Sequence, residues 1–212
     1  MKVKPTEKVR VKRFINTQLQ SNSYVIFSEN ETSAWIIDPG DTVPLLGFLN
    51  EKDLILKGVI VTHTHFDHIY GLNELRHQYK DLLIYASEDS KELFVSTRLN
   101  GSLYAEIPFV VDLNGITFLK NGDVFPLWNN ANMKAYETPG HNVDCMSYYI
   151  DCYLFSGDSF IPGIKVHLKS KNANKELALE TIKWIKGFFS ENTMICPGHL
   201  NECILKDANI IF

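Results

Sequence analysis

The chain has 212 residues, 45% hydrophobic and 12% aromatic, enough for one substantial core. Its formal net charge of −4 argues against a nucleic-acid or anionic-membrane partner, and no apolar run approaches a membrane span. The basic N-terminal residues Lys2, Lys4, Lys8, Arg10, Lys12 and Arg13 are not a secretion signal, because Phe14-Ile15 gives way at once to Asn16, Thr17 and Gln18. Cys145, Cys152, Cys196 and Cys203 show no CxxC spacing and read as reduced thiols, which places the protein in the cytoplasm. No linker divides the chain, so residues 1–212 are expected to form a single domain.

In chain order, β-branched and aromatic runs predict strands at Tyr24–Phe27, Ala34–Asp38, Gly58–Thr62, Leu82–Ala86 and Ile116–Leu119. Further strands are expected at Met133–Thr138, Ser147–Ile150, Tyr153–Ser156 and Met194–Cys196. Helical spacing of apolar residues marks Ile69–Tyr79 and Lys175–Phe189, with Glu88–Val95 and Val43–Asn50 as further helices. Arg98–Pro108 reads as a long loop over the core or the site. Strands come in groups rather than alternating strictly with helices, which favours two sheets with flanking helices over a doubly wound parallel sheet.

Thr62–His68 reads THTHFDH and spends three of the seven histidines in one turn, directly after the apolar run Gly58–Val61. In a helix, His63 and His65 would point about 200° apart. In an extended chain, residues two apart share a side, so the two imidazoles converge if the strand continues past Thr62. Asp67 and His68 then fall where the chain turns into a helix. Neutral imidazoles with a carboxylate suit a bound Zn, Fe, Mn or Ni ion. Three more apolar runs end alike: Glu137–His141 (ETPGH), Leu154–Asp158 (LFSGD) and Met194–His199 (MICPGH) each deliver a ligand-type side chain just past a Gly or at the rim of a sheet.

The HxHxDH segment, the TPGH, SGD and PGH turns, Ile36–Gly40 (IIDPG) and Asn121–Asp123 (NGD) together resemble the metallo-β-lactamase-fold hydrolases, from about Asn22 to His199. The resemblance implies an α/β (α+β) αββα sandwich of two mixed sheets flanked by helices, with two metal ions in a cleft at one edge. By position, His63, His65 and His141 resemble the ligands of a first ion. Asp67, His68 and His199 resemble those of a second, and Asp158 the bridging carboxylate. A carboxylate at Asp158, where antibiotic-hydrolysing members often have Cys, and His65, where the electron-transfer branch has Glu, point to the glyoxalase II-like, lactonase-like and sulfur-dioxygenase-like groups. Thirteen residues follow His199, so the C-terminal helical domain with which glyoxalase II grips glutathione is expected to be absent. The stretch Phe160–His167 replaces the Gly-Arg-rich run of glyoxalase II and the dioxygenases, and Asn142–Cys145 replaces the common Thr-x-Gly-Ser run.

The expected activity is hydrolysis of a small ester, thioester or lactone by a hydroxide bridging two Zn²⁺ ions, with Fe or Mn as the alternative metals. Asp67 is the candidate catalytic residue, orienting that hydroxide or taking its proton. Asp38 stands either as partner to a ligand histidine or as a turn cap before Pro39. Lys165, His167, Tyr70 and Tyr104 are candidates for substrate contact, and His77 for an ordinary helix position. The alternatives are an iron-dependent sulfur dioxygenase and a non-catalytic metal-bound interaction protein. Nuclease activity lacks a matching basic surface.

Overall fold

The computed structural model describes residues 8–209 and 211. Two six-stranded mixed sheets stack face to face. The first runs in chain order: β1 (Val9–Ile15), β2 (Asn22–Ser28), β3 (Ser33–Ile37), β4 (Ile55–Ile60), β5 (Leu83–Ser87) and β6 (Ile116–Leu119). β1–β3 pair antiparallel, whereas β3–β6 pair in parallel. The second holds β7 (Val124–Trp128), β8 (Ala131–Glu137), β9 (Met146–Ile150), β10 (Tyr153–Gly157), β11 (Met194–Pro197) and β12 (Cys203–Ile204). There only β10 and β11 run parallel.

The two-residue period of each strand sorts its side chains into layers. Tyr24, Ile26, Trp35, Ile37 and Ile60 face the second sheet's Phe125, Met133, Ala135, Tyr148 and Phe155. Their alternates Val25, Ala34, Ile36, Val59 and Ile84 pack outward against Leu45, Leu49, Ile69, Leu72, Leu75 and Phe94. Those residues come from the outer helices α1 (Thr42–Glu51), α2 (Phe66–Ile69), α3 (Leu72–Gln78) and α4 (Lys91–Phe94). On the far face, Tyr136, Leu154 and Ile195 take Ile182, Ile185 and Phe189 around α5 (Lys175–Phe188). The Asn174 side chain caps α5 by accepting from Leu177 N–H at 3.0 Å. This is the expected αββα sandwich. Polar tips tie the sheets across the core: Tyr24 Oη donates to Pro197 O at 2.7 Å, Trp35 Nε1 to Leu127 O at 3.2 Å, and Tyr148 Oη to Val61 O at 2.9 Å.

Three strands, β1, β7 and β12, lie outside the sequence expectation. The expected helix Ile69–Tyr79 is two helices broken at Tyr70-Gly71. Gly71 N–H donates to Pro39 O at 2.9 Å, and a Cβ there would lie 2.2 Å from Gly40 O, so only glycine lets the turn pass this close. The Glu88–Val95 helix is a 3₁₀ turn, Glu88–Ser90, followed by α4.

Candidate metal centre

β4 ends at Ile60, but the chain stays extended. Val61 N–H still donates to Tyr85 O at 2.9 Å, and His65 keeps φ −60°, ψ 140° immediately before α2. His63 and His65 therefore converge, and α2 turns Asp67 and His68 in beside them. The other strands of the rim deliver His141 beyond β8, Asp158 beyond β10 and His199 beyond β11. At Gly198 a Cβ would lie 2.1 Å from Asp158 Oδ1 and 2.8 Å from His68 Cε1, so glycine is required where this turn crosses the site.

Six of the seven sequence-predicted residues form two groups whose donor atoms lie within 4.8 Å of one another, His63, His65 and His141, and Asp67, His68 and His199, and the seventh, Asp158, lies against both. In the first, the ring planes meet at 82°, 87° and 89°, so three imidazoles face one point from perpendicular directions. In the second, Asp67 Oδ2 lies 3.4 Å from His68 Nε2 and 3.3 Å from His199 Nε2. Asp158 reaches both groups, with Oδ1 3.6 Å from His68 Nε2 and Oδ2 3.6 Å from His141 Nε2 and 3.5 Å from His199 Nε2.

An outer layer aims the rings. Asp38, held at φ 51°, accepts from Thr62 N–H at 2.7 Å and Thr62 Oγ1–H at 2.6 Å, and Oδ2 sits 3.1 Å from His68 Nδ1. Because the Thr62 hydroxyl donates to Asp38, its lone pair faces His63 Nδ1 at 3.1 Å. His141 Nδ1 faces His167 O at 2.8 Å and can only donate there. Each contact protonates Nδ1 and leaves Nε2 as the free donor atom. Asp38 thus acts on one candidate ligand histidine, and Thr62 extends that reach to a second. Asp38 also lies close to the donor atoms of His63 and His68, but its oxygens are already occupied by Thr62 and His68.

The residues fit a metal. His63 Nε2, His68 Nε2 and Asp158 Oδ1 are buried without a hydrogen-bond partner, a costly arrangement unless a cation takes their lone pairs. Electrostatics separate the groups. Burial, reinforced by neighbouring imidazoles, holds His63 well below its ordinary pKa and His65 at about 3; burial also lowers His141. All three are neutral at pH 7, as a metal ligand must be. Burial also opposes a charge on His68, but Asp67, Asp158 and Asp38 outweigh it and raise the pKa to about 10. Burial opposes the charge on Asp67 too; His68 and His199 overcome it and hold that carboxylate at about 2. Desolvation of His199 is likewise outweighed, by Asp67 and Asp158, so its pKa rises.

The groups floor a cavity of about 690 Å³. The loop after α4 contributes Arg98, Leu99, Gly101 and Tyr104, as the long-loop expectation over Arg98–Pro108 implied. His167 lines it as well, whereas Tyr70 instead donates to Asp41 at 2.6 Å and Lys165 lines a separate hollow with Val166 and Ile182. His77 is exposed on α3. Asp144 carried no expectation. It is buried, accepts from Thr64 N–H at 2.8 Å, and so braces the residue between His63 and His65; burial raises its pKa to about 7. Its only signal in the sequence was the departure of Asn142–Cys145 from the family run. All four cysteines are unpaired.

The family model of the metallo-beta-lactamase superfamily matches residues 16–199. Hydroxyacylglutathione hydrolase of Pseudoalteromonas translucida is 30% identical over 68% of this chain and 48% of its own length. Hydroxyacylglutathione hydrolase of Buchnera aphidicola subsp. Schizaphis graminum is 29% identical over 90% of this chain and 66% of its own. The chain thus spans about half to two thirds of these relatives. The solved structure of BLEG-1 B3 metallo-beta-lactamase superposes with a TM-score of 0.85 at 25% identity, over 93% of this chain and 95% of that one. The chain belongs to the metallo-beta-lactamase superfamily.

Proposed function

We propose that the chain is a metal-dependent hydrolase of a small ester, thioester or lactone. One observation carries this reading: two ligand groups share Asp158 at the floor of a cavity, with unpartnered donor atoms on His63, His68 and Asp158. His63, His65 and His141 would hold one ion and Asp67, His68 and His199 the other, with Asp158 within reach of both groups. Zn²⁺ is the first choice and Fe or Mn the alternative, since imidazole and carboxylate suit each. Bound there, two ions supply a Lewis acid for a carbonyl and lower the pKa of water toward about 7.

The chain's own residues do the rest. Thr62 and Asp38 keep Nδ1 of His63 and His68 protonated, so Nε2 stays aimed at the site. Asp67, held at about 2, accepts a hydrogen bond from water well and retains a proton poorly, so orienting the nucleophile is its main catalytic task. Leu99, Ile161 and Phe66 wall the cavity and limit competing water. Ligands drawn from residues 63 to 199 span both sheets, which supports one domain. Free thiols support a reducing cytoplasm, and no helix among the described residues is long and apolar enough to cross a membrane. The partner is a small molecule.

The test is a screen of acyl thioesters, lactones, a β-lactam and phosphodiesters on metal-analysed protein. Hydrolysis that stops on chelation and returns with Zn²⁺ is expected. Inert metal-replete protein overturns the reading, and oxygen uptake by the iron-loaded form on a persulfide transfers it to the dioxygenase.

A further inference from the structure

The cavity above the metal centre is charged unlike the rest of the chain. Acids outnumber Lys and Arg 25 to 21 overall, yet Arg98, Lys169 and Lys171 all line this one cavity, and its acids are Asp67 and Asp158, both in the ligand set. None of the three cations makes a hydrogen bond or ion pair with another described residue. Their loops are nonetheless anchored to the ligand turns. Asn100 O accepts from Phe66 N–H at 2.8 Å, tying the Arg98 loop beside His65. His167 O accepts from His141 Nδ1 at 2.8 Å and Ser170 Oγ donates to His141 O at 3.1 Å, so the lysines flank a pinned serine. Asn174 N–H closes the same loop onto Gly140 O at 2.8 Å. All three side chains are exposed, and the pinned backbone keeps their attachment points at the rim of this one cavity.

We propose that Arg98, Lys169 and Lys171 form an anion subsite that takes a carboxylate or phosphate at the non-reacting end of the substrate. This rests on the hydrolase reading and narrows it: the substrate is an anionic ester, thioester or lactone, with a body that fits against Phe66, Leu99 and Ile164. The guanidinium offers a fork to two oxyanion oxygens and the ammonium groups act as point charges.

Two arms test it on zinc-loaded protein. In the first, isothermal titration compares 3-(benzylthio)propionate, its primary amide and 2-(benzylthio)ethyl phosphate, none of which can be hydrolysed as a thioester. At least one anion should bind about tenfold more tightly than the amide at low salt, and less so at 0.5 M, as expected of exposed charges; the tighter one names the group. R98Q/K169Q/K171Q should abolish the difference while keeping its metal content, which separates the subsite from direct attraction to the ions. In the second, an acetyl thioester of 3-mercaptopropionate should exceed that of its amide in kcat/KM, through KM. Equal binding of anion and amide, or a preference that survives in the triple variant, overturns the subsite. If neither thioester is cleaved, the hydrolase reading fails, and the binding arm still decides the subsite.

Discussion

The two ligand groups sit side by side yet are built on opposite electrostatic plans. His63, His65 and His141 are buried imidazoles that burial keeps neutral, ready to bind without losing a proton. Asp67, His68 and His199 balance charge against charge: a carboxylate held at about 2 faces a His68 raised to about 10. In the second group a proton occupies the place in the charge balance that a cation is to take. The lesson is that ligand identity alone does not set how a site fills. Desolvation decides the first group and nearby carboxylates the second.

The harshest way to break this contrast is at Asp67. Asp67→Asn keeps the shape but removes the charge that, on the proposed function, orients the nucleophile, and should lower kcat by at least about 10²-fold, as losing a general base or its equivalent does. Metal analysis should find the first ion retained, whereas His65→Ala should empty the first group. Parent-like turnover by Asp67→Asn would make the second group non-catalytic.

Asp38 joins the groups from behind. Asp38→Asn should weaken metal affinity by about 10–100-fold, the usual range for a partner behind a ligand. The loss should appear in both groups, because Asp38 touches His68 directly and His63 through Thr62. A chelator competition that finds only one group weakened would sever that link.

Acid sharpens the comparison. His68 holds its proton below about pH 10 and must release it to ligate, and His199, whose pKa is also raised, takes up a proton on acidification, so the second group's affinity should fall by at least about tenfold per pH unit from pH 8 to 6. His65 carries no proton above about pH 3, so the first group's affinity should stay nearly flat over that window. Competition titrations at pH 6, 7 and 8 read both slopes, and parallel slopes would refute the distinction. The smallest expected effect is none: His77→Ala and His167→Ala should leave metal stoichiometry unchanged, since His77 is on an exposed helix face and His167 meets His141 through its backbone oxygen.

The candidate ligands were legible because their signal is local. HxHxDH packs four of them into six residues after a strand, and three more end short apolar runs. The core strands were legible from their β-branched runs. The missed strands β1, β7 and β12 are all sheet edges. In β1 the basic Arg10, Lys12 and Arg13 sit on a half-solvated edge, which reads as a charged tail; in β7 Pro126 is tolerated because an edge strand need not donate on both sides. The break at Gly71 depends on Pro39 and Gly40, some thirty residues away, and no helical period records that contact. Arg98, Lys169 and Lys171 line one cavity only because two distant loops are pinned to neighbouring turns, so nothing in either stretch announces them.

The central claim is that two neighbouring ions are held by these two groups. Crystals of metal-replete protein, with anomalous scattering measured at the metal edge, test it directly. Two peaks are predicted about 3.5–4 Å apart, one among His63, His65 and His141, the other among Asp67, His68 and His199, with Asp158 reaching both. A single peak, or peaks elsewhere with these seven side chains beyond ligand distance, would contradict it.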